Sequence, residues 1–317
     1  MRLLALDAAT EACSVALFDE PWSGAAGRDN ARRGDARRGD ARRIDARIIH
    51  RCEEPGRGHA ERLLVLVDEV LAEAALALTA LDAIVCSVGP GAFTGVRITV
   101  AAAQGLAFGA NLPVVAVSTL EALALPGVAG GATRVLACLD ARMNEVYWGC
   151  YGADVRRGVC ALRPPAVSTA QAVLEALGSA AALGLSLGGG AGEGSVGVGL
   201  GGGGGGVRGG ETGWLGVGRG FAAQPLLCAL AGLTLAPDAA TALPDARDLA
   251  RLGAARFAAG EAIDPAQLVP LYIRDKVAWT PAERAEQAAR PEQAALPCVT
   301  ELSQATDVIR APEESRD

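Results

Sequence analysis

Two aspartates stand where a carboxylate could do chemistry. Asp7 follows the predicted strand 2–6, and Asp140 ends a second strand-like segment, 133–140; each lies in a Leu-Asp-Ala triplet. Carboxylates at strand ends can bind Mg²⁺ beside a phosphate or position a nucleophile. Aspartates in turns also accept hydrogen bonds from nearby backbone N–H groups. Two hypotheses therefore stand for this pair, a vestigial phosphate and Mg²⁺ corner and a pair of structural turns.

The segment SVGPGAFTGVRI, residues 87–98, joins a predicted strand to a predicted helix through a loop of small residues. Backbone N–H groups at a helix N-terminus could hold an anion, but the Gly-Lys-Ser/Thr ending of a Walker loop is missing. We favour a conformational role, in which the loop makes a sharp strand-to-helix turn. The residues expected to shape the start of the helix are Gly89, Pro90, Gly91 and Thr94.

Other catalytic and metal-binding patterns are missing from the sequence. His50 and His59 are the two histidines, and they are too far apart for an H-x-x-x-H pair. None of the eight cysteines forms a C-x-x-C pair. We therefore expect no catalytic residue and no metal site, although a triad assembled in space does not show in sequence.

Hydrophobic periodicity predicts the elements that must position these residues. The order βββαβαβα indicates a mixed sheet with helices packed on it. At 133–140 the pattern restarts, and LACLDARMNEVYWGCY echoes LALDAATEACSVAL, which suggests a decayed duplication. The predicted strands are 2–6, 12–18, 44–52, 82–88 and 113–117, and the predicted helices are 59–76, 94–109, a short one capped by Ser118 and Glu121, and one from Asp245 to Gly260.

The sequence divides into two predicted subdomains and a tail. The N-terminal subdomain covers 1–117 and contains an Arg/Asp-repeat insert at 28–47. The C-terminal subdomain covers 118–279 and contains a glycine-rich insert at 184–220. The polar tail at 280–317 is predicted to be partly disordered.

Composition narrows the class of protein. The 317 residues carry a net charge of −7, which argues against a cationic, polyanion-binding protein. No signal peptide and no apolar stretch able to span a bilayer are expected. Unpaired cysteines in apolar runs behave as small hydrophobes, so the chain is expected in the reducing cytoplasm.

The predicted helices at 59–76 and 94–109 carry more apolar surface than one sheet contact needs. The second has a stripe of small residues, including Gly95, Thr99 and Ala103, at helical spacing. Two explanations stand side by side. The helices are deeply buried in an ordinary core, or a second face meets another protein.

Several motifs together resemble the TsaB (YeaZ) family. They are LLALDAATEACSVAL, GHAERLLVLVDEVLAEA, SVGPGAFTGVRITVAAAQGLAFG, PVVAVSTLEALA and LDARMNEVYWGCY. The resemblance implies an α/β fold of the actin/hexokinase/Hsp70 (ASKHA) type, with two related subdomains that each combine a mixed sheet with helices. It also implies a cytoplasmic, non-catalytic subunit that dimerises with the catalytic paralogue TsaD, which transfers threonylcarbamoyl to adenosine 37 of tRNA.

The same resemblance implies partners and an interface. The ATPase TsaE and tRNA would join the complex, which uses ATP and Mg²⁺, and no cofactor is assigned to this chain. A homodimer through the same helices is the alternative when TsaD is absent. Gly95→Arg is then expected to spare folding and weaken the heterodimer. The interface carried over from the family is Leu63, Leu64, Val67, Leu71, Gly95, Thr99 and Ala103.

Two enzymatic alternatives remain at this point. An ASKHA-type phosphotransferase would use Asp7 and Asp140 around Mg-ATP. A glycoprotease-like peptidase is disfavoured because the chain has only two histidines.

Overall fold

A computed structural model describes residues 1–20, 46–56, 58–182 and 213–274. The tail at 280–317, nearly all of the Arg/Asp-repeat insert and most of the glycine-rich insert lie outside the described residues. In the parts of the chain that are described, no helix is long and apolar enough to cross a membrane.

The first half of the chain forms a mixed five-stranded sheet in the order β3-β2-β1-β4-β5. β1 pairs antiparallel with β2 and parallel with β4, so the sheet changes direction at its centre. Nearly every residue of β1, β2 and β4 is buried, as expected for strands covered on both faces. The elements are β1 Arg2–Asp7, β2 Cys13–Asp19, β3 Arg47–Glu53, α1 His59–Ala74, β4 Ala83–Ser87, α2 Phe93–Ala110 and β5 Val114–Val117.

The second half repeats this topology, with a sheet in the order β10-β9-β6-β7-β8. β6 pairs antiparallel with β7 and parallel with β9, as β1 does with β2 and β4. Asp7 and Asp140 are the last residues of β1 and β6. The two similar sequence segments therefore occupy equivalent positions in the two sheets. The elements are α3 Thr119–Ala129, β6 Val135–Asp140, β7 Val146–Asp154, β8 Gly158–Ser168, α4 Ala170–Ala182, β9 Trp214–Val217, α5 Gly220–Ala223, β10 Leu233–Leu235 and α6 Ala246–Ala258.

Helices α3 and α6 form the layer between the two sheets. Apolar side chains from both sheets and both helices make one continuous core. Arg256 of α6 donates to the carboxylate of Glu121 in α3 at 2.6 Å and to the carbonyl of Ala116 at 2.6 Å. The ion pair is largely buried, so it ties α3 to α6 where solvent screening is weak.

One strand lies where the sequence suggested an insert. Trp214–Val217, within the predicted glycine-rich range 184–220, is β9 and pairs with β6 through three residue pairs. Gly218 follows with φ of +105°, where a Cβ would lie 2.1 Å from the carbonyl oxygen of Cys138. Close backbone packing therefore leaves no room for a side chain at Gly218, at the described end of this range.

Candidate functional site

The Gly89–Gly91 loop brings the start of α2 against the turn between β1 and β2. Gly89 has φ of +99° and precedes a cis peptide bond to Pro90. A Cβ on Gly91 would lie 2.1 Å from the carbonyl oxygen of Ala9, and that oxygen accepts a 2.7 Å hydrogen bond from the N–H of Ala92. These contacts give the loop a conformational role. Thr94 is exposed in the first turn of α2.

The small residues Gly95 and Thr99 of α2 face this same turn. A Cβ on Gly95 would lie 2.1 Å from the carbonyl oxygen of Ala8. One turn later, the Thr99 hydroxyl accepts a 3.0 Å hydrogen bond from the N–H of Ala8 and donates to the carbonyl of Gly95. The expectation that Gly95→Arg spares folding is therefore wrong, because the close approach leaves no room for a side chain.

The structure buries most of the predicted contact surface within the chain. Six of its seven residues are buried within the chain, because one stripe of α1 and one of α2 pack against the first sheet. Leu64 is the exception, with 48% of its surface exposed. The buried residues, which a partner cannot touch unless the helices move, are Leu63, Val67, Leu71, Gly95, Thr99 and Ala103.

A different face of the two helices is exposed and apolar. Leu64 and Val65 project from α1, and Phe108, with 59% of its surface exposed, projects from α2. Ala101 and Gly105 complete a stripe with Phe108 at i, i+4 and i+7. α1 and α2 lie side by side on one face of the sheet, so their outward sides adjoin. We call these five residues the outer helix face. The spacing of residues 101, 105 and 108 is visible in the sequence. The prediction instead rested on the small residues at 95, 99 and 103, which lie on the buried side of α2.

Asp7 lies in the core. Its side chain is fully buried, and Oδ1 accepts hydrogen bonds from the Ser87 hydroxyl and from the N–H of Ala9. Oδ2 is buried with no hydrogen-bond partner among the described groups. Burial raises the pKa of Asp7 to about 6, against the lowering effect of its two hydrogen bonds. The carboxylate therefore positions a turn and has no access to a ligand.

Asp140 instead lines a cavity of about 340 Å³ between the two halves. Arg142 donates its backbone N–H to this carboxylate at 2.8 Å and its guanidinium to it at 2.9 Å. Arg219 and Arg274, which also line the cavity, pair with Glu54 and Glu145. The cavity arginines thus have carboxylate partners already, which disfavours phosphate binding. Since Asp7 does not line the cavity, the two aspartates cannot share an ion there, and the Mg-ATP alternative gains no support.

Comparisons with known proteins assign the chain to a family. The family model described as TsaD, tRNA N6-adenosine threonylcarbamoyltransferase, matches residues 52–282. The Escherichia coli protein named tRNA threonylcarbamoyladenosine biosynthesis protein TsaB is 35% identical over 280 residues, which cover 88% of this chain and 97% of that protein. The chain belongs to the TsaB family.

Two further relatives agree in sequence and in fold. The Haemophilus influenzae protein of the same name is 42% identical over 149 residues, which are 47% of this chain and 52% of that protein. A Pseudomonas aeruginosa crystal structure, titled as an uncharacterized protein with similarity to peptidase YEAZ, aligns with a TM-score of 0.61 at 34% identity. It covers 86% of this chain and 99% of that one. Together with the two repeated sheets, these matches establish the predicted ASKHA-like fold.

The two histidines of this TsaB-family chain contact different parts of the fold. His59 begins α1, and its Nε2 is 3.0 Å from the carbonyl oxygen of Thr10. His50 lies on β3 beside Asp245, the N-cap of α6. They share no site, so the histidine pair that a peptidase would need is not formed.

Proposed function

We propose that this chain is a non-catalytic subunit in the biosynthesis of threonylcarbamoyladenosine at position 37 of tRNA, and that it acts by pairing with the catalytic subunit TsaD. The relatives named above carry the first part of this proposal. The outer helix face carries the second part, because it is an exposed apolar surface on two adjacent helices.

The composition of this face suits a protein partner. An interface needs an apolar centre with a polar rim. Leu64, Val65 and Phe108 supply the centre, and the exposed acidic side chains of Glu61 and Asp68 lie beside it on α1. Ala101 and Gly105 leave a shallow surface on α2, which permits close approach by a partner helix. A TsaD with a related fold would present a helix pair of its own.

The remaining steps belong to other members of the complex in this proposal. TsaE and tRNA join through TsaD, and the ATP and Mg²⁺ that the complex uses are held outside this chain. The net charge of −7 favours recognition of tRNA by the partner. A role in tRNA modification also favours the cytoplasmic location expected from the sequence.

The first test is light scattering on a sizing column, with the full chain alone and mixed with its cognate TsaD. A defined heteromeric complex is expected. A chain that elutes unchanged in the presence of TsaD contradicts the proposal. A homodimer that forms alone and does not exchange with TsaD also contradicts it.

Substitution of the outer helix face gives the residue-level prediction. Leu64→Asp and Phe108→Asp are each expected to weaken TsaD binding about tenfold or more, because each buries a charge in the apolar centre. Both side chains are exposed, so the unfolding temperature should change little. Binding is measured by calorimetry on the full chain.

The matched control is Val155→Asp, a fully exposed apolar residue in the turn between β7 and β8. It should leave the affinity for TsaD unchanged. If both helix variants bind TsaD with wild-type affinity, TsaD contacts another surface of the chain.

A further inference from the structure

Strand β3 is an edge strand whose side chains alternate between two helices. Arg51 and Glu53 point toward α1, where Arg51 pairs with Glu73 at 2.5 Å and Glu53 pairs with Arg62 at 2.7 Å. Ile48 packs into the core on the opposite face, which contains α6. Side chains alternate along a strand, so His50 and Cys52 lie on the α6 side with Ile48. They are therefore on the opposite face of the sheet from the outer helix face.

The N-terminus of α6 places a carboxylate against these two side chains. Asp245 is the N-cap of α6, and its Oδ1 lies 3.1 Å from Nε2 of His50. The ligand atoms of His50, Cys52 and Asp245 all lie within 4.8 Å of one another. Among the residues that the structure describes, this is the one group of three or more histidine, cysteine or acidic side chains close enough to share a metal ion.

The imidazole of His50 is left with an unused ligand atom. Its Nε2 is buried and makes no well-formed hydrogen bond, although Oδ1 of Asp245 lies 3.1 Å away. A buried polar atom without a partner costs free energy. An ion between the nitrogen, the thiol and the carboxylate would satisfy it.

We propose that His50, Cys52 and Asp245 form a binding site for Zn²⁺ or a similar divalent transition-metal ion. Imidazole, thiolate and carboxylate are zinc ligands, whereas a thiolate is a poor ligand for Mg²⁺. Tetrahedral zinc bonds of about 2.0–2.3 Å place two ligand atoms about 3.3–3.6 Å apart. The three ligand atoms, which lie within 4.8 Å of one another, would therefore close in by up to about 1 Å around the ion. Three protein ligands leave the fourth tetrahedral position for water.

Two neighbouring interactions compete with the ion. The Arg247 guanidinium contacts both oxygens of Asp245, at 3.0 and 2.9 Å. Although burial opposes it, the contacts with His50 and Arg247 hold the pKa of Asp245 below its usual range, so the carboxylate is charged and available. Burial and the charge of Asp245 raise the pKa of the Cys52 thiol, so an ion must displace its proton.

The test uses the full chain, stripped with a chelator and titrated with Zn²⁺ against a chromophoric competitor. Co²⁺ is the spectroscopic probe, because thiolate ligation gives it a charge-transfer band. One ion per chain is expected, with the thiolate band present. Cys52→Ser and His50→Gln should each weaken Zn²⁺ binding about tenfold or more. Arg247→Ala should strengthen it, because the competing cation is gone; a misfolded chain could not produce that gain.

Two substitutions serve as matched controls. Cys160→Ser removes a partly exposed thiol, and His59→Gln removes the other histidine; both should bind Zn²⁺ like the wild type. The proposal is overturned if the wild type binds no ion, if the Co²⁺ complex lacks the thiolate band, or if Cys52→Ser and His50→Gln bind like the wild type. Because these residues lie away from the outer helix face, the result is independent of TsaD pairing.

Discussion

Gly95→Ala is expected to lower the free energy of unfolding by about 3 kcal/mol or more, the upper end of what overpacking costs. The added methyl group would lie 2.1 Å from the carbonyl oxygen of Ala8 and 3.5 Å from the Cα of Ala9. Both neighbours are backbone atoms, which cannot turn aside as a flexible side chain can. The helix would have to move away from the turn between β1 and β2, and the 3.0 Å hydrogen bond from Ala8 to Thr99 would be lost.

Gly105→Ala is the matched control within the same helix. Apart from its chain neighbours and its own helix backbone, no atom lies within 4 Å of a Cβ at this position, and the residue is exposed. Alanine is a better helix former than glycine, so this variant should gain up to about 1 kcal/mol. Urea unfolding of the two variants compares them directly. Equal stability of Gly95→Ala and the wild type would mean that α2 does not approach the turn as closely as described.

The architecture of the first half was predictable because its signals are local. Apolar runs of four to seven residues identify strands, and α1 and α2 carry clear helical periodicity. The repeated Leu-Asp-Ala triplet correctly identified β1 and β6 as equivalent strands. Both sheets keep an aspartate at the end of this strand, and their strand orders match. Strand β9 was missed because it is only four residues long and sits beside a glycine-rich stretch, where composition outweighs periodicity.

The candidate interface was harder to predict because burial depends on neighbours remote in sequence. Gly95 and Thr99 look like an exposed small-residue stripe, yet they pack on a turn formed by residues 8 and 9. Sequence pattern alone cannot tell which of two apolar helix faces meets the sheet. The cluster of His50, Cys52 and Asp245 was invisible for the same reason, since β3 and the N-cap of α6 meet only in the fold.

The two aspartate corners have diverged in environment although their positions in the fold are equivalent. Asp7 is enclosed by the turn that Gly91 and Gly95 hold against α2, while Asp140 remains open to the cavity. The close packing of α2 on that turn therefore also excludes water from the Asp7 carboxylate. This enclosure has a measurable consequence for stability.

Asp7→Asn is expected to stabilise the chain near neutral pH. Burial raises the pKa of Asp7 from 3.8 to about 6 in the folded protein. Between these values the folded state binds more protons than the unfolded state, so wild-type stability falls as pH rises. A difference of about 2 pKa units corresponds to about 3 kcal/mol lost by pH 7. Asparagine keeps the oxygen that accepts from Ser87 and Ala9 and carries no charge, so its stability should lack this fall.

Urea unfolding at about pH 4 and about pH 7 measures the effect as a difference between variant and wild type, which cancels the other titrating groups. The stability advantage of Asp7→Asn should grow by about 2–3 kcal/mol between the two conditions. Asp140→Asn is the control, because it changes the equivalent corner where the carboxylate remains partly exposed beside Arg142. It reports the effect of losing the same charge where the carboxylate is not enclosed. An Asp7→Asn advantage that is the same at both pH values would mean that the Asp7 carboxylate is hydrated, and that α2 does not seal the turn.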